Sequence, residues 1–162
     1  MNLDMVPDLT MRGQDDPHGR AVALRPPTVG QLAARVHALS ASPGDWWHLA
    51  RFERDEPVRV PLAETDGVRF WLVTWPPGYR TGVHDHNDIC LCEGPSSGVR
   101  PLGRTRVNTL IAGELTEVRI TPRGVTERSL RTNRVRVHGG GSTHELTNPG
   151  PAYAITLHGD LA

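Results

Sequence analysis

His84-Asp85-His86, with His144 far downstream in Thr143-His144-Glu145-Leu146-Thr147-Asn148, is the part of this chain best equipped for chemistry. Side chains alternate faces along a strand with a period of two, so His84 and His86 point the same way if this segment is extended. A third histidine delivered by a later strand completes one face of a metal coordination sphere. Imidazole nitrogens suit iron, nickel, copper and zinc, and three ligands leave positions open for substrate or oxygen. The pattern predicts a mononuclear redox or Lewis-acid centre ligated by His84, His86 and His144. Three neutral ligands leave the full charge of a divalent metal in place, which matches an anionic incoming ligand such as a thiolate. Asp88 shares the parity of the histidines as a further ligand. Glu93 stands at odd spacing from His86 and needs a bulge to turn inward.

Strands must position these groups, and the chain supplies them. From residue 58 onward, short β-rich runs alternate with turn residues, and strands are expected over 58–62, 68–75, 80–92, 109–111, 115–120, 135–138 and 152–158. Asp66-Gly67 marks a hairpin, Trp75-Pro76-Pro77-Gly78 a turn ahead of the histidine strand, and Gly139-Gly140-Gly141 another before His144. Upstream, Thr28-Val29-Gly30-Gln31 has the form of a capping box, followed by Leu32, Val36 and Leu39 at helical spacing. A helix over 28–40 is expected, stopped by Ser42-Pro43-Gly44, with Trp46-Trp47 opening a second short one. Many short strands with scarcely any helix predict an all-β jelly-roll barrel carrying one or two short N-terminal helices. Residues 1–25, rich in Asp, Gly, Arg and Pro without periodicity, read as a loosely held arm. Residues 26–162 read as a single domain, a length sufficient for one substantial core.

Four segments in order, Trp75 to Gly78, His84 to His86, Gly113-Glu114-Leu115-Thr116-Glu117 and Thr156-Leu157-His158, resemble the motifs of the cupin superfamily and, within it, the type I cysteine dioxygenase (thiol dioxygenase) family. The likeness extends over roughly residues 50 to 158. It implies a cupin domain in which Fe(II), with Ni(II) as an alternative, is held by His84, His86 and His144. It further implies oxidation of the sulfur of a small thiol by dioxygen to a sulfinic acid, with L-cysteine as the first substrate and 3-mercaptopropionate close behind. On the same resemblance Arg59 anchors the substrate carboxylate, since a guanidinium grips it bidentately. Arg69 and Arg80 are the weaker alternatives for that role. His158 acts beside the metal ligands with Thr156, which keeps the hydroxyl of the family's Ser-x-His-x-Tyr motif. Asp160 stands where that motif has tyrosine, so a Cys–Tyr crosslink cannot be built from it, and Asp160 is expected to hydrogen-bond His158 instead. The segment 93–106 is an apparent insertion of loop composition, a lid or a decoration. Three other readings stay open: a diverged oxidase acting on a thiol in a specialised biosynthetic pathway, a non-redox cupin isomerase or hydrolase, and a small-ligand-binding cupin.

The rest of the composition narrows the class. Eighteen basic and eighteen acidic residues cancel, giving no global electrostatic argument for nucleic acid or an anionic membrane. No apolar run approaches a membrane span, and the first residues lack the pattern of a signal peptide, so a cytoplasmic protein is expected, as monomer or homodimer. Cys90 and Cys92, one residue apart, cannot form an unstrained disulfide and read as small buried hydrophobes. Tyr79 and Tyr153 are the only phenols. His138 alternates with Arg134 and Arg136 along its strand, which predicts a solvent face, while His18, His37 and His48 read as surface residues.

Overall fold

The structure is a computed structural model that describes residues 27–84, 105–138 and 143–161. The N-terminal arm, His86, Asp88, Cys90, Cys92, Glu93, nearly all of the 93–106 insertion and the Gly139–Gly141 run lie outside the described residues.

Helix α1 spans Val29–Ser40 and begins where the capping box predicts. Thr28 Oγ1 accepts from Gln31 N at 3.2 Å, and Gln31 Oε1 accepts from Thr28 N at 2.8 Å. Two reciprocal bonds therefore satisfy donors that a bare helix end would leave orphaned. Short 3-10 turns over Pro43–Asp45 and Trp47–Leu49 follow, and Trp46 between them is buried, its indole N–H donating to Leu39 O at 2.8 Å.

Among the described residues eight strands follow: β1 (Val58–Thr65), β2 (Val68–Trp75), β3 (Arg106–Ala112), β4 (Thr116–Thr121), β5 (Gly124–Ser129), β6 (Arg136–His138), β7 (Thr143–Thr147) and β8 (Ala154–Leu161). They form two antiparallel sheets, one ordered β1-β2-β8-β3-β6 and the other β5-β4-β7. This is the expected all-β cupin architecture. The large sheet buries apolar side chains on both faces, because each face has its own partner. Outward, Val68, Phe70, Leu72, Val107, Ile155 and Leu157 pack with Leu32, Val36 and Trp46 of the helical region. Inward, Trp71, Val73, Trp75, Leu110 and Ala154 meet Leu115 and Leu146 from the small-sheet side. No helix among the described residues is long and apolar enough to cross a membrane.

Two glycines are required by close approach. At Gly113, in the β3–β4 turn with φ +79°, a Cβ would stand 2.5 Å from Tyr153 O and 2.6 Å from Ala154 Cα. At Gly159 a Cβ would press into Val36 and Leu32, so the missing side chain is what lets α1 lie on β8.

Several elements differ from expectation. The stretch expected as one strand over 80–92 is, where described, only a pair of isolated bridges, Arg80 with Thr147 and His84 with His144. β8 runs on past 158 to Leu161, β5 is a strand beyond those expected, and the later strand expected to deliver His144 is β7. Arg106, expected to end the inserted loop, is already the first residue of β3.

Candidate metal centre

The histidine pair is set by backbone pairing. His84 N donates to His144 O at 2.9 Å, and His144 N donates to His84 O at 2.8 Å. Residues that exchange both bonds stand directly opposite one another, so their side chains leave on the same face. The register is locked from beside the site by Asn148. Its Nδ2 donates to Trp75 O, Pro76 O and Ala152 O, and its backbone carbonyl accepts from Gly78 N. The asparagine thereby pins the Trp-Pro-Pro-Gly turn to the end of β7, and with it the segment carrying His84.

The two rings meet through Nε2, 3.1 Å apart. Each Nδ1 is already engaged as a donor: His84 Nδ1 to Gly82 O at 2.9 Å, and His144 Nδ1 to Glu117 Oε1 at 2.9 Å. A neutral imidazole carries one proton, so both Nε2 atoms present lone pairs to each other. Two lone pairs at that distance repel unless a cation lies between them. A carboxylate holding the far nitrogen of a ligating imidazole is the usual support of such a ligand. The donor set fits a divalent transition metal.

Glu117 on β4 is the hub behind this pair. It accepts from Arg136 Nη2 at 2.8 Å, across the gap between the sheets, and from His144, with Arg119 Nη2 at 3.6 Å and His138 Nδ1 at 4.0 Å. Burial alone would raise its carboxyl pKa. The His144 hydrogen bond and the charges of Arg136, His138 and Arg119 outweigh this and hold it down at about 2. His138 is the clearest correction to the sequence reading: it is 4% exposed, buried rather than solvent-facing. Its Nε2 donates to Asn108 Oδ1 at 3.3 Å, and burial pushes its pKa down to about 4 despite the nearby Glu117. The alternation of Arg134, Arg136 and His138 suggests an outward face, yet Arg136 and His138 line a polar interior. One ligand atom each from Glu117, His138 and His144 lie within 4.8 Å of one another, so these three could also hold a metal, through the opposite face of His144.

These titrations give a prediction with a definite sign. For both groups the unfolded chain takes up its proton first on acidification, so the native state loses stability as pH falls. For His138 the loss runs from about 6.5 to about 4, and for Glu117 from about 4.5 to about 2. Urea unfolding of metal-free protein at several pH values is expected to show both steps. Glu117→Gln should flatten the lower one, by on the order of 1–3 kcal/mol. An unchanged pH profile in that variant would contradict the assignment.

The remaining predicted residues sit on the inner face of the large sheet, in rows set by register. Arg59 stands beside Val73, then Thr156, then Leu110. Pro61, Trp71, His158, Asn108 and Arg136 form the next row. Arg69, Asp160, Arg106 and His138 form the third. Arg59, Thr156 and His158 thus share one face, and His158 neighbours Asn108, the partner of His138, whose ring centroid is 5.6 Å from that of His144. Trp75 Nε1 donates to Thr156 Oγ1 at 2.8 Å, Thr156 Oγ1 lies 2.7 Å from His158 Nε2, and Trp71 stacks on the His158 ring at 5.3 Å. His158 is therefore clamped in orientation by a hydroxyl and an indole.

Asp160 is engaged otherwise than expected. Its carboxylate takes Arg69 side-on, Oδ1 to Nε at 3.0 Å and Oδ2 to Nη2 at 2.8 Å. This bidentate pair removes Arg69 as a carboxylate anchor, and Arg80 is likewise bound outward to Glu145. Tyr153 faces away from the interior, its hydroxyl donating to Glu53 O, whereas Tyr79 packs beside Trp75. Sequence reasoning assigns no role to Glu117 or Asn108. Glu117 is within its sight as the last residue of the Gly113–Glu117 motif, and Asn108 has no signal beyond its polarity in a strand.

Comparison with known proteins bears on the family and the fold. A family model described as cysteine dioxygenase type I matches residues 27–149. No match was found among curated proteins. Among solved structures, a protein from Thermus thermophilus is similar at 19% identity and TM-score 0.53, over 72% of this chain and 93% of its own. An uncharacterised double-stranded β-helix protein from Klebsiella pneumoniae is similar at 20% identity and TM-score 0.51, over 70% and 84%. A cupin superfamily protein from Desulfitobacterium hafniense follows at 13% identity and TM-score 0.50, over 72% and 87%. At these identities the structures speak for the cupin fold, and the match over most of the chain speaks for the family: this chain belongs to the cysteine dioxygenase type I family.

Proposed function

We propose that the chain is a metal-dependent thiol dioxygenase that converts a small carboxylate-bearing thiol, L-cysteine first, to its sulfinic acid. The observation that carries this reading is the convergence of His84 and His144 through Nε2, each fixed from behind at Nδ1. His86, outside the described residues, is the third ligand of the proposal. Fe(II) held there would supply a site at which a thiolate and dioxygen meet and electrons pass from sulfur to oxygen. The balance closes without another reductant: sulfur gives up four electrons, dioxygen accepts four, and both oxygen atoms end on sulfur.

The chain's own residues orient and screen. Arg59 is proposed to grip the substrate carboxylate, one row along the sheet from His158. Thr156 holds His158 Nε2, and Trp71 covers the ring, so His158 can exchange a proton with the bound substrate without swinging away. The expected test is oxygen uptake by iron-loaded Arg59→Gln. KM for L-cysteine should rise about 10- to 100-fold, while cysteamine, which lacks the carboxylate, should be used as before; the size follows from losing a charge-assisted bidentate contact. Equal effects on both thiols would remove Arg59 from this role.

A further inference from the structure

Away from the histidines, a cleft of about 640 Å³ is lined by Arg128, Ser129, Arg131, Arg134, Val135 and Arg136. Among the described residues it carries four guanidiniums and no carboxylate. Arg136 has its charge answered by Glu117. Arg128, Arg131 and Arg134 make no ion pair among the described residues, and they are exposed to whatever enters. The backbone beneath them is fixed. Leu130 N donates to Leu115 O at 2.7 Å, Asn133 N donates to Leu110 O at 2.8 Å, and Thr132 bridges Leu110. Asn133 adopts φ 58°, a left-handed turn that asparagine tolerates, and this brings Arg131 and Arg134 to the same cleft.

Like charges brought together on a stiff turn repel, and nothing in the folding of β5 or β6 calls for them. We infer that this cleft binds a compact polyanion with two or more phosphoryl groups. Guanidinium forks match phosphate oxygens bidentately, and the volume lies in the range of small-molecule sites. A single phosphate monoester brings a charge of at most about −2, short of three unanswered arginines, whereas a diphosphate or triphosphate chain meets them all. Ser129 adds a hydroxyl, and among the described residues Val135 is the sole apolar one in the lining, so the phosphoryl chain rather than an attached base or sugar is what the cleft recognises. Because Arg136 also grips Glu117, an occupant shares a guanidinium with the residue that holds His144.

Titration calorimetry of the metal-loaded protein with inorganic tripolyphosphate tests this. Saturable binding of about one equivalent is expected, at least about tenfold tighter than orthophosphate, and weakening by about tenfold or more between low and moderate salt. Arg131→Glu/Arg134→Glu should lose at least about tenfold in affinity with unchanged thermal melting, and Arg131→Gln/Arg134→Gln serves if the double reversal does not fold. ATP should bind as tripolyphosphate does. Undiminished heat in both variants, as metal chelation would give, or tripolyphosphate no tighter than orthophosphate, would overturn the assignment.

Discussion

His84→Ala is expected to release the metal. Affinity should fall on the order of 100-fold or more, and thiol-dependent oxygen uptake should drop to background, with the fold retained. His84 is the variant of choice because it lies on an irregular edge segment, bridged to β7 by backbone bonds that alanine keeps. His144 is 1% exposed, so its removal mixes loss of the ligand with loss of packing. The variant also decides between the two faces of His144. If metal were held through Nδ1 with Glu117 and His138, His84→Ala would leave it bound and His138→Ala would release it. The hydrogen-bond pattern favours the Nε2 face, because Nδ1 is occupied by a 2.9 Å bond to a carboxylate that also answers Arg136. Glu117→Gln, which weakens that support without removing a proposed ligand, should cost about 10- to 100-fold in metal affinity.

Asp160→Ala is the second large effect, and it acts on stability. Asp160 is 1% exposed and is bound bidentately by Arg69, with Arg106 directly across on β3. Deleting the carboxylate leaves buried positive charge uncompensated, and a loss of about 3 kcal/mol is expected, at the low end for a buried pair because Arg69 keeps some contact with water. Urea unfolding measures it. Replacing both partners, as Arg69→Met/Asp160→Leu, should recover most of the loss, since an apolar pair needs no desolvation of charge. A single variant within about 0.5 kcal/mol of wild type would mean that the pair behaves as a surface pair.

The parts of the fold legible in sequence are those whose signals are local. The Thr28–Gln31 box, the Asp66-Gly67 hairpin and the β2 run each carry their own instruction, and the structure follows them. β5 is invisible in sequence because all of its residues are exposed and it exists as an edge paired to β4. β8 continues through Gly159 and Asp160, two poor strand formers held there by the approach of α1 and by Arg69. His138 is misplaced by a rule that fails at polar interiors: alternation locates a face, but cannot say which face is wet when the buried one carries Arg106, Asn108, Arg136 and Glu117. The pairing of His84 with His144 is legible from residue type and motif order. Its cause, a reciprocal backbone pair locked by Asn148, is not, since it depends on contacts between segments distant in the chain.

The most direct test of the proposed chemistry is the fate of oxygen atoms. Iron-loaded protein should be turned over with L-cysteine under isotopically labelled dioxygen, and the product weighed. The account predicts cysteine sulfinic acid carrying two labelled oxygen atoms, formed one for one with oxygen consumed. Oxygen consumed without label on sulfur, or no consumption with any small thiol despite bound iron, would contradict it.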